Sequence, residues 1–486
     1  MANVLVIGAG LNGLSSAMLL ALDGHEVTVV ERDPGAPEAD PGAAWEQWAR
    51  PGVNQFRLPH LVLCRWSQLM RRELPQVIDR LREQGALQWN IADAMPDRLT
   101  GGRRDGDERF DEVTARRPVL EGALASCADE TYGLTVRRGV GVAGLRTLGD
   151  GVDGGAPRVV GVRTEAGEDI DADLVVDVSG RRSPVRRWLA DIGTRPPLEE
   201  IDESGNIYYT RHFRSADGSI PETQTFLLQE HESLSLITLP ADNGTWSVVL
   251  TAAATDAALR PLRDPEVWMR TVARYPTVEP WLEGEPITGV DLIAKLEDRW
   301  HGLVVDGDPV VTGFVGLGDA WACTSPALGR GASIGLTHAC LLRDLLREVD
   351  VHDHEHLART WSERTEATVG ELFRMTRTFD NHRLAEMQAD AAGARYEPED
   401  PGWAMTKAMA AAALADPEIV RARLEIINLL ATPPEVFARP GIAERVVALG
   451  SGAPRYSHPG PDRAELLALV GGRVRSGSRH PTSVSG

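Results

Sequence analysis

Val4, Leu5, Val6 and Ile7 form an unbroken apolar run that ends at Gly8-Ala9-Gly10-Leu11-Asn12-Gly13. A second apolar run reaches Leu22, and Val27 to Val30 closes at Glu31, so the opening predicts strand, tight turn, helix and strand. Helical patterns follow from Leu61 to Leu74, from Pro75 to Gly85 and from Arg117-Pro118 onward. Alternation from Leu134 to Leu148, then Arg158 to Arg163 and Ile170 to Val178, predicts a strand and a hairpin, with Leu174 to Val178 apolar enough to be buried. Residues 202–254 alternate strongly, which predicts a mostly antiparallel sheet, and a helix from Pro265 to about Trp281 is expected beside it. Val310 to Val315 reads as a buried strand delivering Gly318-Asp319, after which Gly329-Arg330-Gly331 opens a helix to Leu346. Beyond it the period is helical, with Leu357 to Met375, Pro401 to Leu414 and Pro417 to Leu430 each amphipathic, and Gly471 to Gly486 expected to be disordered.

The glycines at the opening have separate tasks. Gly8 lets the chain turn, Gly10 lets the backbone approach a pyrophosphate, and Gly13 lets the helix lie against the strand. The helix start supplies free N–H groups and a positive dipole end, and Glu31 can accept both ribose hydroxyls of an adenosine. Dinucleotide binding is therefore expected, and this turn by itself does not separate FAD from NAD. Later, Asp319 at a strand end can bind a hydroxyl of a ribityl chain, and the helix opened by Gly331 can hold negative charge developing on a ring.

Composition narrows the partners. The 486 residues carry a net charge of −20, which argues against nucleic acid or an anionic membrane. No run of eighteen apolar residues exists, so no membrane span is expected. Cys64, Cys127, Cys323 and Cys340 form no C-x-x-C pair, which fits a reducing cytoplasm. Lys295 and Lys407 are the only lysines. His352 and His356 could share a helix face, but with no third ligand the stretch reads as a solvated helix start capped by Asp353, and no metal is expected.

Taken in order, the N-terminal glycine turn with its glutamate, Arg117-Pro118-Val119-Leu120-Glu121, the DxxG turn from Asp177 to Gly180, and Gly318-Asp319 followed by Pro326-x-x-Gly329-x-Gly331 resemble FAD-dependent monooxygenases of the p-hydroxybenzoate hydroxylase superfamily. Within it the chain is most similar to polyether-type epoxidases and related natural-product oxygenases. RPGVNQFRLPH (50–60) resembles their RxGVPQxxHxH segment, ADLVVDVSGRRS (172–183) their ADLVxDxxGRxS, and YYTRHFR (208–214) their YxTRxF strand. The resemblance implies an α/β fold: a Rossmann-like FAD-binding domain of the glutathione reductase type, an antiparallel substrate domain and a C-terminal helical region. It divides the chain into FAD-binding parts at 1–79, 111–195 and 301–347, a substrate-side excursion at 80–110, a substrate domain at 196–300, helices at 348–470 and a tail at 471–486.

The same resemblance assigns Gly8, Gly10, Asn12, Gly13, Glu31 and Arg32 to the nucleotide end of FAD, Arg50 and Arg117 to the pyrophosphate region, and Val142 to the adenine. Asp319 is assigned to the ribityl and pyrophosphate part, and Pro326, Gly329 and Gly331 to the loop under the isoalloxazine. The implied activity is epoxidation or hydroxylation of a small apolar polyketide- or isoprenoid-like substrate by O₂ through a flavin C4a-hydroperoxide, with electrons from NAD(P)H or a partner flavin reductase. Ser179 replaces the aspartate of the phenol hydroxylases' Asp-Gly motif, which speaks against direct NADPH docking in their manner, and Asn54 and Leu58 depart from the epoxidase segment. Epoxidation requires no side-chain acid or base. Hydroxylation would favour one, for which His60, Tyr209 and Arg211 are the candidates. The antiparallel wall is expected to present apolar positions and few convergent charges. The resemblance to a flavin halogenase lacks that class's Trp-x-Trp-x-Ile-Pro motif and lysine. A double-bond reductase and a non-catalytic flavin-binding protein are the remaining alternatives.

Overall fold

The computed structural model describes residues 1–35, 37–38, 40–148 and 155–472. Of the tail read as disordered, 473–486 lie outside the described residues, and Gly471 closes the helix Arg463–Gly471.

Five short parallel strands form the central sheet, in the order Phe314–Gly316, Leu174–Asp177, Asn3–Ile7, Glu26–Glu31 and Leu134–Arg138. The register sets Val4 against Val27 on one side and Ile7 against Asp177 on the other, so the glycine turn and the DxxG turn leave the sheet side by side. The three inner strands Leu174–Asp177, Asn3–Ile7 and Glu26–Glu31 are mostly buried and largely apolar, as parallel strands covered on both faces must be, whereas the edge strand Leu134–Arg138 is part-exposed and carries Arg137 and Arg138. Helix Leu11–Leu22 covers one face together with Arg117–Asp129 and Gly331–Glu348, and all three contribute to one apolar core. The alternating run 134–148 divides at Gly139, where φ is +74°, into Leu134–Arg138 and Val142–Leu148. The second strand joins a separate three-stranded sheet.

A second sheet orders Leu228–His231, Leu234–Pro240, Thr245–Ala253, Asn206–Arg214 and Glu285–Pro286, all antiparallel. Its two faces are both largely apolar. Tyr209, Phe213, Trp246 and Leu250 lie beneath Trp268, Tyr275 and Trp281, whereas Tyr208, Ile237 and Val249 face the other way. The expected helix beside the sheet stops at Val272 and resumes as the single turn Glu279–Leu282. Pro276 explains the break, because the residue before a proline is driven out of helical geometry.

The long C-terminal pattern also divides, into His354–Ala367 and Val369–Ala391, at Thr368. Asp353 stands at the start of the first of these without making a side-chain cap bond. Arg383 fastens the second helix to this antiparallel sheet. Its guanidinium donates to His231 O at 2.6 Å, Leu234 O at 2.5 Å and Ser235 Oγ at 2.9 Å. Arg421, on helix Pro417–Ile427, does the same for the excursion, reaching both oxygens of buried Asp107 at 2.9 and 2.7 Å. Among the described residues no helix is long and apolar enough to cross a membrane.

Candidate functional site

The nucleotide turn shows why each glycine is where it is. Gly8 has φ +106°, and a Cβ on it would lie 2.7 Å from Val178 O; a Cβ on Gly13 would lie 1.9 Å from Gly8 O. Gly10, the N-cap of helix Leu11–Leu22, differs: a Cβ there meets nothing within 4 Å, because it borders a cavity. That open space against free helix N–H groups is what a pyrophosphate requires. Asn12 is wedged between Gly318 and Gly335, where a Cβ would come within 2.9 and 2.0 Å of its amide nitrogen.

Glu31 is buried and already anchors the turn, accepting Ala9 N–H and Asp33 N–H, each at 2.9 Å. Arg50 lies among Glu31 at 2.6 Å, Asp33 at 3.3 Å and Glu121, and donates to Ala9 O at 3.2 Å. Burial alone would push this guanidinium down; Glu121, Glu31 and Asp33 hold it above its ordinary value instead. Arg50 therefore braces the turn from behind and does not line the cavity. Arg32 is exposed on the surface, and Val142 lies on the strand that begins two residues after Val140 donates to Glu31 O at 2.8 Å; neither borders the cavity.

A single cavity of about 330 Å³ gathers the rest: Gly10, Asn12, Gly13, His60, Arg117, Asp319, Pro326, Gly329 and Gly331. The 18-residue helix Gly331–Glu348 points its N-terminus at this space, with a Cβ on Gly331 3.6 Å from Asp319 Oδ1. The unfilled space at Gly10, the acid at Asp319 and the helix end fit an FAD lying along the turn with its ring over Gly329 to Gly331.

The candidate acid–base residues need correction. Tyr209 and Arg211 share a strand face that is directed away from the cavity: Tyr209 is buried under Trp268, and Arg211 lies beside Phe213 and Trp268. Side chains alternate along a strand, so it is Tyr208 and Thr210 that line the cavity. His60 does line it, with both ring nitrogens engaged. Its Nδ1 donates to Leu58 O at 2.9 Å, and its Nε2 accepts from Arg117 at 3.1 Å. Burial and then the Arg117 charge hold its pKa down at about 3, so it is neutral at physiological pH and has no free lone pair for a substrate proton.

Several cavity groups carry no sequence signal. Tyr208 OH bonds Ser325 Oγ, and burial, then Asp380, drive the phenol above its ordinary range. Behind the cavity wall and not lining it, Asp380, whose Oδ2 has no partner, is driven well above the carboxylate range by burial and the like charge of Asp298, against the pull of Arg330. Glu112 is fully buried on strand Asp111–Thr114, accepting from Cys64 Sγ at 3.2 Å and Trp89 Nε1 at 3.0 Å. Burial raises it to about 7, which makes it the cavity carboxyl able to give up or take a proton near neutrality.

Glu112 also gives a pH dependence with a definite sign. Between its ordinary value of 4.5 and about 7 the folded chain keeps a proton that the unfolded chain has lost, so its contribution is largest at low pH and declines as pH rises through 7. We expect Glu112→Gln, which cannot ionise, to remove a decline of about 2–3 kcal/mol that the wild type shows between about pH 5 and about pH 8. Urea unfolding across that range checks it; parallel curves for the two proteins would place Glu112 in water.

A parallel sheet whose central strand ends in a glycine turn, opening into a chamber roofed by an antiparallel sheet, defines the class of dinucleotide-binding oxidoreductases. Comparison with known proteins agrees. The chain belongs to the FAD dependent oxidoreductase family, whose model matches residues 3–342. It is similar to protein Rv3254 of Mycobacterium tuberculosis, at 28% identity over 375 residues covering 71% of this chain and 73% of that protein. Among solved structures it is similar to PqsL of Pseudomonas aeruginosa in complex with 2-aminobenzoylacetate (TM-score 0.56, 16% identity, 80% of this chain and 98% of that one). It is also similar to the flavin-dependent brominase Bmp2 (TM-score 0.55, 14% identity, 92% and 98%). FAD is thus the cofactor of the family, and the fold is shared by enzymes of different chemistry.

Proposed function

We propose that the protein is an FAD-dependent monooxygenase that transfers one oxygen atom from O₂ to an electron-rich carbon, an alkene or ring, of a substrate with a large apolar body of polyketide or isoprenoid kind. The observation that carries this reading is continuity: Gly10, Asp319 and Gly331 share one chamber with Tyr208, Ile237 and Val249 of the substrate sheet. When bound and reduced, by NAD(P)H or by a partner flavin reductase, FAD supplies the oxygen-activating chemistry. The chain's own residues hold and enclose it. Gly10 and the N–H groups of its helix receive the pyrophosphate, and Asp319 accepts from the ribityl hydroxyls. The N-terminus of Gly331–Glu348 stabilises negative charge on the ring. Leu227, Ile237, Leu239 and Val249 keep water from the reacting carbon.

Neither Lys295 nor Lys407 lines the chamber, so the lysine that halogenation calls for is missing from it. An acidic chain with four buried free cysteines fits a cytoplasmic setting. The test is to reduce the holoenzyme without air, add a panel of apolar alkenes and electron-rich arenes, admit ¹⁸O₂ and weigh the products. One labelled oxygen per product is expected. A gain of two hydrogens before O₂ enters would make the protein a reductase, and flavin binding with no product from any compound would leave a binding protein.

A further inference from the structure

The far end of the chamber holds a cation that makes no ion pair among the described residues. Arg423, on the inner side of helix Pro417–Ile427, lines the cavity with its guanidinium 4.0 Å over the Phe226 ring. Its Nη1 is buried without a hydrogen-bond partner, and no carboxylate among the described residues lies within ion-pair distance of it.

The acids that could serve are already taken. Glu230, beside Arg423 on the cavity wall, is ion-paired to Lys407 Nζ. Glu386 receives Arg383 at 2.9 Å and Lys407 at 3.4 Å, and Asp390 receives Arg455 at 3.2 Å. The cluster, buried in part, thus sets four cations, Arg383, Lys407, Arg423 and Arg455, against the three carboxylates Glu230, Glu386 and Asp390. The one left over is the one that faces the chamber. Burial pushes Arg423 down to about 10 against the pull of Glu230, which leaves it charged at neutral pH, and a buried charge without a direct partner is costly to keep. Arg423 also lies beyond residues 3–342, outside the stretch matched by the family.

We propose that Arg423 is a substrate anchor: the substrate is an amphipathic carboxylic acid whose carboxylate pairs with Arg423, with its apolar body running along Phe226, Leu227 and Ile237 toward the flavin end. This rests on the chamber being the substrate site, as the proposed function has it, and replaces the expectation of a wall with few convergent charges. A guanidinium offers a carboxylate two parallel N–H donors, which a neutral ester or amide cannot use as an anion does.

Titration calorimetry of the FAD-loaded enzyme with decanoate and with decanamide tests the anchor without oxygen or turnover, so it stands or falls separately from the labelling experiment. Wild type is expected to bind decanoate at least about 30-fold more tightly than decanamide, the loss typical of removing one partner of a buried charge pair. Arg423→Met is expected to erase the preference and Arg423→Lys to keep part of it. Equal binding of the two probes, binding of neither, or a preference that survives in Arg423→Met overturns the proposal. Inorganic phosphate competing with decanoate as well as acetate plus decane does would show that a bare anion, and not a carboxylic acid, is what the site selects, and would also overturn it. Stability without ligand gives a second measurement: the urea midpoint of Arg423→Met should equal or exceed that of wild type, and a lower midpoint would mean that Arg423 is structurally paired.

Discussion

Gly13→Ala is expected to yield a chain that does not fold to a flavin-binding state, whereas Gly10→Val is expected to fold and stay colourless. A Cβ at residue 13 would stand 1.9 Å from Gly8 O, a backbone atom that cannot yield unless helix Leu11–Leu22 lifts from the sheet. Lifting it would open the largest apolar core of the molecule, to which Leu14, Ala17 and Met18 belong, and a loss above about 4 kcal/mol is expected. A Cβ at residue 10 meets no protein atom within 4 Å, so the apoprotein is left intact. The valine would instead project into the space where the pyrophosphate must lie, and FAD should weaken by about 100-fold or more, equal to about 2.7 kcal/mol. Urea midpoints and FAD titration separate the two effects. A Gly10→Val protein that purifies yellow, with wild-type affinity, would remove the nucleotide from this turn.

The second large effect is expected at Arg50. Its side chain is 2% exposed, and it is ion-paired to Glu31, Asp33 and Glu121, themselves 8%, 8% and 0% exposed. Arg50→Met would leave three buried carboxylates with Arg117, 2.7 Å from Glu121, as the remaining ion-pair partner among the described residues. Breaking one buried pair typically costs about 3–5 kcal/mol, and here the same atom set also holds Ala9 O of the nucleotide turn. We expect the midpoint of unfolding to drop by at least that amount and FAD affinity to fall with it. Arg50→Lys should recover little, because one ammonium cannot reach acids on three sides as a planar guanidinium does. A loss under about 1 kcal/mol would show that water reaches the cluster.

These two cases also mark what could be read in the chain. Gly8 to Gly13 and Asp319 to Gly331 are local devices, each complete within a dozen residues, and their spacing carries their geometry. Arg50 belongs to a set drawn from Glu31, Asp33 and Glu121, and no local pattern distinguishes a brace behind the turn from a contact in front of it. The strand Asn206–Arg214 failed differently. Its alternation was plain, but Tyr208 and Tyr209 are adjacent and similar, and both sheet faces are apolar, so which face meets the chamber depends on where Trp268 and Trp281 dock. Glu112, Glu230 and Arg423 are hundreds of positions apart at the extremes and come to line one cavity only through the tertiary fold, which is why the chain's local pattern points to an apolar, uncharged wall.

The chamber's two ends are written in separate stretches of the chain. The flavin end comes from residues within 3–342, and much of the far end comes from residues 406–437, joined by the loop that follows helix Val369–Ala391. The two stretches are tied by Arg421 to Asp107, Arg109 to Glu425 and Arg65 to Leu429 O, so a segment that selects what is bound can be exchanged only together with these docking partners. Chimeras cut within 393–400 that carry Asp107, Arg109 and Arg65 unchanged are expected to fold and to bind new guests, whereas those that lose these partners are expected to lose the docking of the helices.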